Sequence, residues 1–186
     1  MVKLHVALVH HPVKNRHGER VTTAVTNLDV HDMSRVCRTF GVRALWLINP
    51  LSSQRELLQP LLDFWQDGDG VQFNADRAKA LELVRWSDSI ADAIEKIEQQ
   101  EGATPLVVAT TANRHAGQST LNQMERIEQP ALLLFGTGHG LCDDVLDGAD
   151  FVLQPIEGAG NGYNHLPVRA AAAIVLDRLT AGRHCV

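Results

Sequence analysis

Two stretches of this chain carry most of the backbone and side chains that can do chemistry. The first is Gly136-Thr-Gly-His-Gly140-Leu141, which follows directly on the apolar run Ala131–Phe135. Glycines at alternate positions let the backbone turn sharply and let a ligand approach main-chain N–H groups without interference from a Cβ. The C-terminal end of a parallel strand is also where open α/β sheets bind ligands. Taken alone, the loop is equally a tight turn that needs positive φ. A dinucleotide fingerprint requires a full helix after the glycines and an acidic residue after a further strand. Only about ten residues separate Gly140 from Phe151, and they include Asp143, Asp144, Asp147 and Gly148. Glu157 stands at a tolerable distance, so an NAD-binding domain stays open as an alternative. The spacing favours a cradle for a different nucleoside-containing cofactor.

The second stretch runs from Gln154 to Arg169 and contains Gly158, Gly160 and Gly162. It ends in Asn164-His165 and Pro167, the residue types of a helix start. Two glycine-rich turns after successive strands suggest one ligand held between two loops. A third polar motif, Asn27-Leu-Asp29-Val-His31-Asp32-Met-Ser-Arg35, opens a helix near the N-terminus. Asp29 and Asp32 share a face at i, i+3, near the positive end of the helix. They can serve as a capping box with Asp in place of Glu. Capping leaves Asn27, His31 and Arg35 unexplained, and acids beside a His also suit proton abstraction.

The elements that must position these residues alternate short apolar runs with amphipathic ones. That pattern indicates an α/β fold with a mainly parallel sheet of about six strands and helices on both faces. Strands are expected at Leu4–Val9, Ala44–Ile48, Leu81–Trp86, Leu106–Ala109, Ala131–Phe135 and Phe151–Leu153. Helices are expected at about Val30–Phe40, closed by Gly41, and at Ser53–Gln66, with Leu57, Leu58, Leu61, Leu62 and Trp65 on its apolar side. A third is capped by Ser87 and buries Ile90, Ala91, Ile94 and Ile97; two more cover Ser119–Ile127 and His165–Leu179. The polar segments His10–Thr26 and Glu157–Asn164 are expected to be functional loops. With no repeat and no linker, residues 1–186 are expected to form one domain.

The pairing of Leu-Phe-Gly136-Thr-Gly-His-Gly-Leu with Leu153-Gln-Pro-Ile…Tyr163-Asn-His-Leu-Pro-Val-Arg-Ala-Ala resembles the second and third motifs of the SPOUT RNA methyltransferases. In particular it looks like the compact bacterial group related to the tRNA guanine-N1 methyltransferase catalytic domain, and the resemblance extends over essentially the whole chain. It implies a C-terminal trefoil knot, which physical reasoning alone would argue against, and S-adenosylmethionine as cofactor. The cofactor contacts it implies are Thr110, Thr111 and Ala112, then Gly136, Thr137, Gly138 and Gly140, then Leu153, Ile156, Asn164, His165 and Leu166. Arg35 and the Phe40-Gly41 pair resemble the first motif, where an Arg acts at the attacking hydroxyl or its phosphate, and Arg38 is an alternative occupant. Asp29 stands where the ribose-methylating branch has Asn, so both a ribose 2′-oxygen and a base nitrogen remain possible targets. Asp29, His31 or Asp32 is the expected proton acceptor. Lys14, Arg16, Asn27, Arg38 and Tyr163 are expected RNA contacts.

Bulk properties bound the rest. A net charge of −5 argues against coating nucleic acid by electrostatics alone. A composition 45% hydrophobic and 21% charged is ordinary globular usage. The apolar stretches are too short to span a bilayer, and the N-terminus lacks the core of a signal peptide. Cys37, Cys142 and Cys185 share no metal-ligand spacing, which indicates a reduced, cytoplasmic protein with no metal. The expected partners are an RNA, tRNA or rRNA, and a second copy of the chain as a homodimer, as SPOUT proteins generally are. The rival function is a non-catalytic regulatory module that binds S-adenosylmethionine or a nucleotide.

Overall fold

The structure is a computed structural model that describes residues 3–115, 117–124 and 128–181. In chain order its elements are β1 (Leu4–Val9), β2 (Val13–Lys14), β3 (Arg20–Val21), α1 (Asn27–Thr39), β4 (Leu45–Ile48), α2 (Ser52–Gln66), α3 (Gly70–Phe73), α4 (Ala75–Leu81) and β5 (Val84–Ser87). They continue with α5 (Ile90–Glu101), β6 (Leu106–Ala109), α6 (Leu121–Met124), β7 (Ala131–Gly136), α7 (Asp143–Asp147), β8 (Phe151–Val152) and α8 (Val168–Ala181). Six strands form one parallel sheet in the order β5-β4-β1-β7-β6-β8, and β2 and β3 form a separate antiparallel hairpin. The central pair runs from Leu4 opposite Ala131 to Val9 opposite Gly136.

A strand sandwiched between two helical layers is apolar on both faces, and β1 and β7 read that way. One face packs Leu4, Val6 and Leu8 against Val30, Met33 and Cys37 of α1 and Ala172 and Leu176 of α8. The other packs Ala7 and Val9 with Ala93 and Ile97 of α5 and Leu146 of α7. Helices therefore cover both faces.

Several boundaries differ from expectation, each for a local reason. Leu81 closes α4 rather than opening a strand, because Asn74 caps that helix and its alanines carry it to Leu81. Ser89, not Ser87, caps α5: Ser87 ends β5 and its hydroxyl lies 2.5 Å from Asp92. α8 begins at Val168 because Pro167 biases Leu166 toward extended backbone. Leu57 is solvent-exposed while Leu58 is buried, so the inward stripe of α2 is narrower than expected. Asp29 does not cap the helix with Asp32: Thr26 is the cap, accepting from the Asp29 N–H at 3.2 Å, and its hydroxyl donates to the Asp29 carboxylate at 2.7 Å. The segment His10–Thr26 contains the β2–β3 hairpin. The predicted helix end at 125–127 and Cys185 lie outside the described residues.

Candidate functional site

At the C-terminal edge of the sheet, on the α1/α8 side, lies a cavity of about 570 Å³. That is within the range of small-molecule sites. Thr110, Thr111, Ala112 and Asn113 after β6 form one wall, and residues Phe135 to Gly140 form a second. Leu153, Gln154 and Ile156 after β8 line a third, with Asn164, His165, Leu166, Pro167 and Val168 leading into α8. Ala171 and Val175 of α8 and Asp29 of α1 complete it. Every residue that the resemblance assigns to the cofactor lines this one cavity.

The loop after β7 shows why glycine is needed there. Gly138 and Gly140 have φ of 60° and 96°, in the left-handed region. A Cβ on Gly138 would lie 3.0 Å from the Lys14 carbonyl, because the hairpin braces this loop. The His139 N–H donates to Lys14 O at 2.9 Å, and the Lys14 N–H donates to Gly140 O at 2.8 Å. The Thr137 hydroxyl donates to Val9 O at 3.0 Å and lies 2.5 Å from that of Thr23. Thr110 donates its hydroxyl to Leu134 O at 2.8 Å, and Asn164 Nδ2 donates to Ala112 O at 3.2 Å, tying two walls together. Buried Phe135, Leu153 and Val175 give the interior an apolar floor beneath these polar loops. An apolar slot rimmed by fixed backbone and hydroxyl groups fits a nucleoside-containing cofactor.

The N-terminal motif divides. Asp29 reaches the cavity, and Asp32 and Arg35 line a neighbouring groove of about 470 Å³ with Val36, Thr39, Phe40, Pro167, Arg169 and Ala170. Pro167 borders both spaces. His31 turns toward α2, edge-on to Trp65 with ring centroids 5.7 Å apart, and lines neither space. Burial, and after it the Arg77 guanidinium, push its imidazole below the ordinary value. Asn27 is exposed at the start of α1.

Among the expected RNA contacts, Lys14 is ion-paired with Asp143 and Arg38 with Glu82. Arg16 is exposed at the hairpin and donates to His17 at 2.9 Å. Tyr163 is exposed beside His165, their rings 5.2 Å apart. Among the described residues no helix is long and apolar enough to cross a membrane, and no three His, Cys, Asp or Glu side chains gather as metal ligands.

Sequence reasoning did not single out two residues beside the site. Arg169 reaches from α8 to α1, with Nη1 2.8 Å from Asp29 Oδ1 and Nε 3.2 Å from Asp32 Oδ2. The signal available for it was a lone Arg in the first turn of an Ala-rich helix, with two carboxylates elsewhere lacking a cation. His10 follows β1, is buried, and has an Nε2 without a hydrogen-bond partner. Burial pushes its imidazole down to about 4, against the opposing pull of Asp29. Its signal was a polar residue closing an apolar strand.

Comparison with known proteins shows the family and the fold. A family described as SAM-dependent RNA methyltransferase matches residues 3–181. A tRNA (guanine-N(1)-)-methyltransferase from Oleidesulfovibrio alaskensis is 48% identical over 178 residues, covering 95% of this chain. The chain spans 41% of that relative's length. An uncharacterised Aquifex aeolicus protein is 34% identical over 184 residues, covering 97% of this chain and 89% of its own. The crystal structure of TrmJ from Z. mobilis shares the fold, with a TM-score of 0.62 at 18% identity, over 96% of this chain and 69% of that one.

Proposed function

The chain belongs to the SAM-dependent RNA methyltransferases, and on that premise we propose that it methylates a nitrogen of a tRNA base. S-adenosylmethionine is the cofactor of the family. Bound in the cavity, it supplies an electrophilic methyl group on a sulfonium. The observation that carries the reading is the convergence of both glycine-bearing loops and Asp29 on a single cavity.

The residues then divide the work. Gly136, Gly138 and Gly140 give main-chain access, and Thr110, Thr111 and Ala112 face them across the slot. Leu153, Ile156 and Leu166 would supply apolar cover for the adenine, and Asn164 and His165 line the rim. Alignment of a nucleophile and exclusion of water account for much of the rate of a group transfer. Asp29 stands at the cavity wall and accepts the departing proton, with Asp32 one turn behind it. His31 is turned away toward Trp65, so this reading gives it no proton to move. Arg35 meets the RNA from the adjoining groove. A carboxylate in place of the Asn of the ribose-methylating branch supports a base nitrogen over a 2′-oxygen, and the name of the Oleidesulfovibrio relative supports tRNA.

We read the described chain as one domain, since one sheet joins its elements. The protein works as a homodimer: Lys14 and Arg38 are each committed to a carboxylate of the same chain, so a second copy is needed to enlarge the basic surface. Free, buried Cys37 and Cys142 support a reducing, cytoplasmic setting.

The test has two stages. Calorimetry with S-adenosylmethionine is expected to show one site per chain. Labelled methyl transfer to tRNA from a strain lacking the gene is expected next, with nucleoside mass spectrometry naming the position. Absence of both binding and incorporation sinks the reading; binding without incorporation sinks the enzyme and leaves a cofactor-binding module.

A further inference from the structure

We propose that Arg169 joins Arg35, the arginine of the first motif, as a second guanidinium on a backbone phosphate of the target nucleotide in the groove beside Pro167, so that the two form a fork; the inference rests on the RNA reading above. Arg169 commits one Nη1–H to Asp29 and approaches Asp32 through Nε. A guanidinium has five N–H donors in a rigid fork, so the remaining donors are free for an acceptor. The side chain is 32% exposed and lines the groove. Arg35 lines it too and makes no ion pair among the described residues. Two guanidiniums and the carboxylates of Asp29 and Asp32 leave these four groups with no net charge. The groove therefore recruits by directed donors rather than by bulk attraction.

The carboxylates have a second effect. An arginine already pinned by two acids on neighbouring turns of α1 loses little rotamer freedom when it binds. It also meets a tetrahedral anion in the planar, bidentate geometry that guanidinium favours. The groove shares Pro167 with the cofactor cavity. A phosphate held there lies beside the cavity whose wall includes Asp29.

The experiment measures binding of transcribed, unmodified tRNA against salt concentration for the wild-type protein, Arg169→Gln and Arg169→Lys, with S-adenosylmethionine affinity measured alongside. Each phosphate contact contributes about 0.9 to the slope of log affinity against log salt on duplex and about 0.7 on single strands. Arg169→Gln is expected to lower tRNA affinity about fivefold at low salt and to reduce the slope by somewhat less than one. Arg169→Lys is expected to keep the slope and lose part of the affinity, because a point charge replaces a fork. Cofactor affinity stays unchanged in both. An unaltered slope in Arg169→Gln overturns the fork in favour of a base contact. A parallel fall in cofactor affinity overturns it in favour of a brace between α1 and α8. If the wild-type protein binds no tRNA, the RNA reading fails first and the fork is discarded with it.

Discussion

His5 and His10 sit at the two ends of the same central stretch of chain, both buried, and their surroundings are opposite. His5 is fully partnered. Trp46 Nε1 donates to its Nδ1 at 3.3 Å, which places the proton on Nε2, 3.3 Å from Glu101. Glu101 in turn holds Lys3 at 2.9 Å. At the other end, the Thr137 hydroxyl donates to Val9 O and lies 2.5 Å from that of Thr23, which in turn lies 3.1 Å from His10 Nδ1. Whichever of these groups donates, His10 Nε2 is left without a partner. Buried polar groups are nearly always satisfied, and the exceptions need an explanation. Two such atoms occur among the described residues, His31 Nδ1 beside Trp65 and His10 Nε2, and the second lies at the end of the sheet where ligands bind in open α/β folds. The N-terminal end spends its polar groups on structure; the C-terminal end holds some in reserve.

The sharpest way to break that comparison is to damage one end and read the other. Gly138→Val places a β-branched residue at a φ of 60° with its Cβ 3.0 Å from Lys14 O. Strain of this kind costs about 1–3 kcal/mol, and the loop has to move to relieve it. The expected loss of S-adenosylmethionine affinity is about 100-fold by calorimetry, equivalent to roughly 2.7 kcal/mol. Glu101→Gln, at the opposite end, is expected to leave that affinity unchanged. Retained binding in Gly138→Val means the glycine loop is not the cofactor cradle.

The pH dependence of stability separates the two histidines next. A histidine whose folded pKa lies below its unfolded value binds fewer protons when folded, so stability rises with pH across the interval between the two. For His10 that interval runs from about 4 to 6.5. Its contribution is complete above 6.5 and is lost as pH falls toward 4, for a total of roughly 3 kcal/mol. His10→Asn keeps a donor for Thr23 and removes the titration. Its urea midpoint is expected to fall less steeply between pH 7 and pH 4 than that of the wild-type protein. Equal slopes would mean that His10 is protonated inside the fold or hydrated there. His5 is also lowered by burial, but its bond to Glu101 pulls the other way, so His5→Asn is expected to change the slope less.

How much of this was legible in the residues varies with the kind of force involved. Strands β1 and β6 could be read to the residue, because short, mostly apolar runs end at His10 and at Thr110 and one opens after Pro105. The α3–α4 segment was not read: Leu81 and Leu83 belong to a helix and to the turn after it, and the Asn74 cap that starts this helix was passed over in favour of the apolar run. The glycine loop could be located, since its residue types state its backbone needs. Arg169 could not, because its meaning depends on two carboxylates more than a hundred positions away in the chain. His31 shows the converse: its place in the motif suggests chemistry, and its side chain packs on Trp65.

A smaller effect tests the satisfied end directly. Trp46→Phe keeps an aromatic ring in a fully buried position, removes the Nε1–H that donates to His5, and leaves a small cavity that adds to the cost. The orphaned Nδ1 lone pair is buried, so its share of the expected cost is about 1–2 kcal/mol in chemical denaturation. Cofactor affinity is expected to stay within twofold. Destabilisation near zero would mean that His5 turns over to its other tautomer and finds a new donor, and the contrast between the ends would soften.

The smallest effect concerns the ion pairs at each end. Lys3–Glu101 has its carboxylate 89% shielded, whereas Asp143, the partner of Lys14, is 75% exposed. Exposed pairs contribute about 0–1 kcal/mol and weaken with salt. Asp143→Asn is therefore expected to change stability by less than about 1 kcal/mol. It also frees Lys14, which braces the glycine loop through its own backbone, to meet an RNA phosphate. A modest gain in tRNA affinity at low salt, vanishing as salt rises, is the expected signature. If Asp143→Asn instead destabilises the fold as strongly as loss of the Glu101 carboxylate, the hairpin is bolted down by that pair and the cavity end is as rigidly built as its opposite.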